Sequence, residues 1–505
     1  MSKEFKGRKI HAAAGGFILA VYLALALGSS LTKAPWHDEG HFANAAWNLA
    51  TSGFMGTTVL EASVPWLKGI GRHTYWVMPL YLVNLAAWFK LFGFSLFLMR
   101  ALSVAWGLVA LGAWYSIMKS LTGDRALALL TLSLLAFDYI FLMNASTGRM
   151  DMMCAALGWA ACAVFLRLRE SRFPLAVLLS QALVVAGGLT HPNGILPFAG
   201  LLFLTFYFDR RRINLHVIAL AAMPYLVGGG LWGWYVLQDR EAFVAQFGGN
   251  VGGFSGMSGN VNRWVGLTAP WTGFKLEITE RYLNAFGLAP HSQGVARLKI
   301  LVLLVYLAGL TGALSVRRLR QHTATRTVLL LFAIYFVLMA LVEGHKSDIY
   351  LVHSVPLLVA LLALWFTWCW RERYLPRPLL AGILAGFVIL QAGGVAYLIR
   401  QNHYESKYMP VVNFLRSRGG EGRHLTGSAE LGFELGFDRL TDDAWLGYYS
   451  GARPDVIVFN RRYEEIDEIF RRAQPEVHRH IEHRLERECQ KVFEFAPYWK
   501  VYERR

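Results

Sequence analysis

AAAGGFILAVYLALALGSSLTKAPWHDEGHF, residues 12–42, runs from an uncharged apolar stretch straight into two adjacent carboxylates, Asp38 and Glu39. A helix of about 20 apolar residues crosses the ~30 Å hydrocarbon layer. The run 12–32 therefore reads as a first membrane span, and the polar segment behind it falls at the membrane–water boundary. Carboxylates are costly there, and a chain that keeps two has a use for them. Trp36 and Phe42 on either side suit an interface. Residues 1–11 are basic, and no small-residue cleavage site precedes Lys33-Ala34-Pro35-Trp36, so the first span is expected to stay uncleaved.

The remainder of the 505 residues extends this reading. Hydrophobic residues make up 55% and mean hydropathy is +0.36, too apolar for an ordinary soluble protein. The net charge of +16 sits largely in short runs between apolar segments, such as Asp209-Arg210-Arg211-Arg212 and Arg317-Arg318-Leu319-Arg320. That placement marks cytoplasmic loops and gives no reason to expect nucleic acid as a partner. The four cysteines, Cys154, Cys162, Cys369 and Cys489, match neither a disulfide framework nor a metal cluster.

Apolar runs at 12–32, 97–118, 126–143, 152–168, 174–190, 193–208, 214–236, 298–315, 327–343, 349–368 and 378–399 predict about eleven spans. With the N-terminus inside, the arginines near 167–172, 210–212, 317–326 and 371–377 all become cytoplasmic. Segment 75–93 is apolar enough to span, but counting it would invert every later loop. Its Pro79, Asn84, Lys90 and aromatics fit a helix lying in the headgroup region of the first outer loop.

The fold expected is an all-α polytopic membrane protein over 1–400 with a small soluble α/β domain over 401–505. That domain shows a β-like run, Asp455-Val456-Ile457-Val458-Phe459, and a helical stretch at 464–472. By parity it lies extracytoplasmic, as does the loop 239–296, which is Gly-rich over 247–259 and suits a mobile lid.

Four polar clusters thread to the outer ends of spans: Asp38-Glu39, Gly148-Arg149-Met150-Asp151, Thr190-His191-Pro192-Asn193-Gly194 and Glu343-Gly344-His345-Lys346-Ser347-Asp348-Ile349-Tyr350. Together they could supply a carboxylate to take a proton and cations to hold a phosphate. Each also has a plainer reading. Asp38 could be a solvated loop acid, Arg149 with Asp151 a helix-capping ion pair, and His191 a satisfied helix-end histidine. Lys346, a cation at an outer span end, runs against the usual bias and calls for a phosphate or an anionic lipid headgroup. Arg100, at the outer start of the second span, is a weaker instance of the same.

The DE pair of Trp36-His37-Asp38-Glu39, the Tyr75-Trp76-Val77-Met78-Pro79-Leu80 stretch followed by Phe92-Gly93 and Arg100, the Arg149-Met150-Asp151 triplet, and Lys346-Ser347-Asp348-Ile349-Tyr350 followed by Pro356 recur in that order. In this the chain resembles the GT-C glycosyltransferases, in particular the group holding the dolichyl-phosphate-mannose protein mannosyltransferases and the aminoarabinose transferases of lipid A. The resemblance covers nearly the whole chain, though each motif is short. It lacks the Glu-Lys-Pro-Pro pattern of the aminoarabinose branch around 61–75, and the long central outer-loop insertion of the eukaryotic mannosyltransferases.

What the resemblance implies is an integral inner-membrane enzyme of the cell envelope. It would move a hexosyl or pentosyl unit, with inversion, from a polyprenyl-phosphate donor to a lipid, glycan or protein hydroxyl on the extracytoplasmic face. Asp38 would be the base with Glu39 beside it. Arg100, Arg149, Asp151, Lys346 and Tyr350 would bind the donor phosphate end, and His191 and His345 would contact substrate. No cofactor is certain; Mg²⁺ or Mn²⁺ bridging Asp38 or Asp151 to phosphate suits hard oxygen ligands, although no dense carboxylate cluster is present. A transporter or lipid flippase would instead place charges near the midplane and show internal repeats. A non-catalytic membrane scaffold would instead use its outer domain to bind a partner.

Overall fold

The computed structural model describes residues 3–252, 264–289, 294–418 and 423–505. Among these, nine helices are long and apolar enough to cross a membrane: Ile10–Thr32, Leu96–Thr122, Met150–Leu168, Phe173–Thr190, Leu215–Val236, Ala296–Ser315, Thr323–Val342, Val355–Glu372 and Arg377–Gln401. The protein is an integral membrane protein built mainly of helices.

Two of the eleven expected spans take a different form. The 126–143 run is a broken pair, Arg125–Ala136 and Tyr139–Ala145, bent by 65°. The break has a named cause. Asp138 caps the second helix, its carboxylate accepting from the Phe141 N–H at 2.8 Å and from the Tyr306 hydroxyl at 2.6 Å. The 193–208 run becomes the 15-residue helix Ile195–Asp209, about 22 Å long and short of a full crossing. The span expected from 349 begins at Val355, because Asp348–His353 winds as a tighter 3₁₀ turn before Pro356 starts the α-helix. The segment 75–93 yields Pro79–Phe92, a 14-residue helix burying Tyr81, Leu82, Leu85, Ala86 and Phe89.

The chain falls into two compact units, and each is internally well packed. The first holds Met1–Ser30, Ser103–Leu231 and Arg263–Tyr397. At its centre is Met150–Leu168, apolar on every face and buried along most of its length, as a fully enclosed helix must be. Trp114, Trp159 and Tyr335 pack in series, with ring centroids 4.7 and 5.2 Å apart, the second pair stacked. Gly158 lets Pro197 close on the helix, since a Cβ there would lie 2.7 Å from the proline ring. Such small-residue contacts are how helices associate in lipid.

The second unit holds Leu31–Leu102, Trp232–Asn262 and Leu398–Arg505. The 401–505 segment thus packs with the first outer loop. Its five-stranded mixed sheet has the order β2-β1-β3-β5-β4: β1 (Leu425–Thr426), β2 (Leu440–Thr441) and β3 (Val456–Asn460) run parallel, while β4 (Cys489–Phe495) and β5 (Trp499–Arg504) form an antiparallel hairpin on β3. Leu60 bridges to Asp442 just beyond β2. Loop residues Leu60, Val64, Leu67 and Ile70 share one apolar core with Trp445, Ile457, Phe459, Phe470 and Ile481. Residues 60–70 are therefore part of the interior of the 401–505 fold. Of the Gly-rich stretch 247–259, residues 247–252 end the helix Arg240–Gly252; 253–259 lie outside the described residues.

Candidate active site

In the second unit the helix His37–Ser52 starts immediately after Pro35 and Trp36, with Asp38 and Glu39 in its first turn, where the helix dipole favours negative charge. The two carboxylates have opposite fates. Glu39 is fully buried and clamped by Arg100, whose Nε and Nη2 donate to its two oxygens at 2.8 and 2.7 Å. The Trp36 N–H adds a third bond at 2.9 Å. Arg100, equally buried, also donates to the carbonyls of Lys33 and Ala34 at 2.7 and 3.1 Å. Glu39, expected beside the base, and Arg100, expected at the donor phosphate, thus pair with each other and tie the loop to the helix Leu96–Thr122.

Asp38 stays about one-fifth exposed. His37 Nε2 lies 3.4 Å and His41 Nδ1 3.9 Å from its Oδ1. Burial, then the charge of Arg462, pulls His37 down to about 3, so it is neutral at physiological pH. His41 is buried, and its Nε2 lies 2.9 Å from Asp442.

Asp442 accepts from the Ala429 N–H at 3.1 Å, from Arg462 Nη1 at 2.8 and 3.0 Å, and from the Tyr463 hydroxyl at 2.9 Å. Burial alone would raise this carboxyl. Arg462, then the His41 hydrogen bond, outweigh that and hold it well below the usual carboxylate range. The sequence reading missed Asp442, His41 and Arg462, since no local pattern links residue 41 to residues some 400 positions later.

In the first unit the other three clusters meet. Arg149, extended ahead of the Met150–Leu168 helix, donates from Nε to Asp151 at 2.9 Å. Asp151 is buried, and its Oδ1 has no hydrogen-bond partner. His191 accepts the Asn193 N–H on Nδ1 at 3.1 Å and sets its ring 5.2 Å from that of Tyr350. The Arg281 guanidinium lies 5.8 Å from the Tyr350 ring centroid. His353, buried with an unpartnered Nε2, is pulled down to about 3 by burial and then by His191.

Lys346 is buried at its tip: Nζ donates to the Met339 and Ala340 carbonyls at 2.7 and 3.1 Å and lies 3.2 Å from Glu277. Glu277 takes Arg281 Nη1 on both oxygens at 2.7 Å, and Arg281 reaches the backbone carbonyls of Ser347 and His345 at 3.0 and 3.3 Å. His345 itself is exposed. Two cations around one carboxylate leave a net positive charge. Glu277 and Arg281 carry an i,i+4 ion-pair spacing that could have been read in sequence; His353 was hidden inside an expected span.

Among the described residues no three His, Cys, Asp or Glu side chains are placed to hold one metal ion. Asp38 and Asp151, the carboxylates considered from sequence for Mg²⁺ or Mn²⁺, belong to no such cluster.

No family model matches the chain. An uncharacterised protein of Aquifex aeolicus is 24% identical over 216 residues, 42% of this chain and 41% of that one, so the match spans under half the relative's length. Among solved structures, ArnT from Cupriavidus metallidurans bound to undecaprenyl phosphate matches at TM-score 0.62 and 15% identity, over 96% of this chain and 97% of that one. The Archaeoglobus fulgidus oligosaccharyltransferase matches at TM-score 0.54 in two forms. One is a complex with Zn and sulfate, at 10% identity over 96% of this chain and 73% of that one. The other is tethered to an acceptor peptide, at 12% identity over 97% and 74%. The fold of this chain is the one seen in ArnT and in this oligosaccharyltransferase.

Proposed function

We propose that this chain, folded as the GT-C enzymes are, transfers a sugar from a polyprenyl-phosphate donor to a hydroxyl acceptor, inverting the anomeric carbon, with Asp38 as base. The observation that carries this is the contrast within the DE pair. Glu39 is sealed by Arg100, whereas Asp38 keeps solvent access at a helix N-terminus. A base must reach the proton it removes, and of the two only Asp38 can.

The leaving phosphate needs positive charge, and stabilising it is the larger part of catalysis. The surplus cation around Glu277, together with Arg149, supplies a donor-phosphate site, with Tyr350, His191 and Asp151 shaping its wall. Lys346 acts there through its charge within the triad, its Nζ being already saturated. The undecaprenyl phosphate on the structurally similar ArnT supports a lipid phosphate as the donor end. Membrane lipids are further partners; the acceptor is a lipid, glycan or protein hydroxyl. In this reading the N-terminus is cytoplasmic and the 401–505 segment extracytoplasmic.

The test is turnover by purified full-length protein in detergent, given a panel of undecaprenyl-phosphate monosaccharides and membrane extract. Asp38→Asn is expected to lose at least about 10²-fold in kcat with an unchanged thermal midpoint. Undiminished turnover in Asp38→Asn would move the base elsewhere, and no turnover by wild type with any donor would overturn the transferase reading.

A further inference from the structure

Asp442 is acceptor-only: it receives the Ala429 N–H, Arg462 and the Tyr463 hydroxyl, and it is held in its ionised form. The nitrogen of His41 that faces it, Nε2, must therefore carry the hydrogen. That fixes the tautomer. In the neutral imidazole the bare lone pair is on Nδ1, which is buried, has no hydrogen-bond partner, and lies on the Asp38 side. A lone pair set against a carboxylate repels it unless a proton comes between them.

We propose that Asp442 and His41 form a relay behind Asp38, in which His41 Nδ1 takes up the proton that Asp38 removes from the acceptor. The proposal rests on Asp38 being the base. A carboxylate is in general a weaker base than an imidazole, and so a poorer sink for a hydroxyl proton. As the acceptor oxygen bonds to the anomeric carbon, the bond from that carbon to the phosphate oxygen breaks and its electron pair leaves with the phosphate. The O–H proton passes to Asp38 and then to the Nδ1 lone pair. This restores the Asp38 carboxylate and leaves an imidazolium between two carboxylates; the proton goes to solvent before the next turnover. Closing 3.9 Å to hydrogen-bond range takes a shift of roughly 1 Å.

The charged and titratable groups around His41 are Asp38 and His37 on its own helix, Asp442 beyond β2, Arg462 and Tyr463 on the helix Arg461–Ala473, and Glu430 in the turn Ala429–Leu431. His37 is neutral and Arg462 stays charged across the working range. His41 and Asp442 act through Asp38 and are positioning residues.

The experiment is the pH dependence of kcat for full-length wild type and His41→Gln, with the undecaprenyl-phosphate monosaccharide that wild type turns over. Gln keeps an N–H toward Asp442 and has no proton-accepting nitrogen. The expected result is a kcat lower by about 10²-fold or more, an unchanged donor KM, and loss of the acid limb of the wild-type profile. Wild-type kcat and acid limb in His41→Gln would overturn the relay while leaving Asp38 as base; absence of wild-type turnover would overturn both. Should His41→Gln melt early, His41→Ala with added imidazole decides. Restored turnover supports the relay, and activity insensitive to imidazole overturns it.

Discussion

At the scale of the residue, neighbouring groups of one chemical type divide by surroundings. The sequence made Asp38 and Glu39 visible as a pair but could not separate them, because the separation depends on Arg100, some 60 positions away. Lys346 was legible as an unusual cation at a span end, while its contact with Glu277, some 70 positions earlier, was not. Replacing Lys346 with Ala leaves the triad neutral. We expect undecaprenyl phosphate to bind about tenfold more weakly in detergent, the order of one lost neighbouring charge. Equal affinity in both proteins would remove Lys346 from the site.

Glu430 gives a pH signature of its own. Burial pushes it up to about 7, only partly offset by the Ser428 hydrogen bond. The folded protein then binds a proton more tightly than the unfolded chain, whose glutamate titrates near 4.3. Its contribution to stability is intact below about pH 4 and is lost as pH rises through 7. Glu430→Gln should raise the thermal midpoint at pH 8 and leave it nearly unchanged at pH 4.5; an equal gain at both would assign the effect to packing.

At the scale of the element, the apolar runs located the spans because a bilayer demands length and uniformity, and both are local properties. Where they misjudged, a polar side chain had intervened: Asp138 breaks one span, and a 3₁₀ turn delays another. Contact between elements was not legible. Gly40 shows why. A Cβ there would meet the Ala429 carbonyl carbon and oxygen at 2.4 and 2.5 Å and the Glu430 nitrogen at 2.7 Å. The helix bearing Asp38 thus lies backbone to backbone against the turn that presents Glu430. Gly40→Ala must push them apart. Because backbone cannot yield as a flexible side chain would, we expect a loss of roughly 1–3 kcal/mol, the usual cost of overpacking, seen as a lower melting temperature. It should also weaken the His41–Asp442 contact and with it kcat.

At the scale of the whole molecule, a many-span helical protein with a small α/β segment was foreseen from the apolar and β-like runs, with about eleven spans expected against nine long apolar helices among the described residues, whereas the packing of residues 60–70 into that segment's core was not. Long-range partnership of this kind has no periodicity to announce it. The proposed topology predicts that a cysteine placed at Ser450 reacts with a membrane-impermeant thiol reagent in intact spheroplasts; labelling only after lysis would put the 401–505 segment inside. The shared core also has a consequence in time. Ribosomes make the loop carrying Leu60, Val64, Leu67 and Ile70 long before Trp445, Phe459 or Ile481 exist. Through most of translation that loop stands without its apolar partners, and the turn beside Asp38 is unsupported. A nascent chain halted near residue 400 would be threaded into the membrane and still be immature, so that activity arrives only with the last hundred residues.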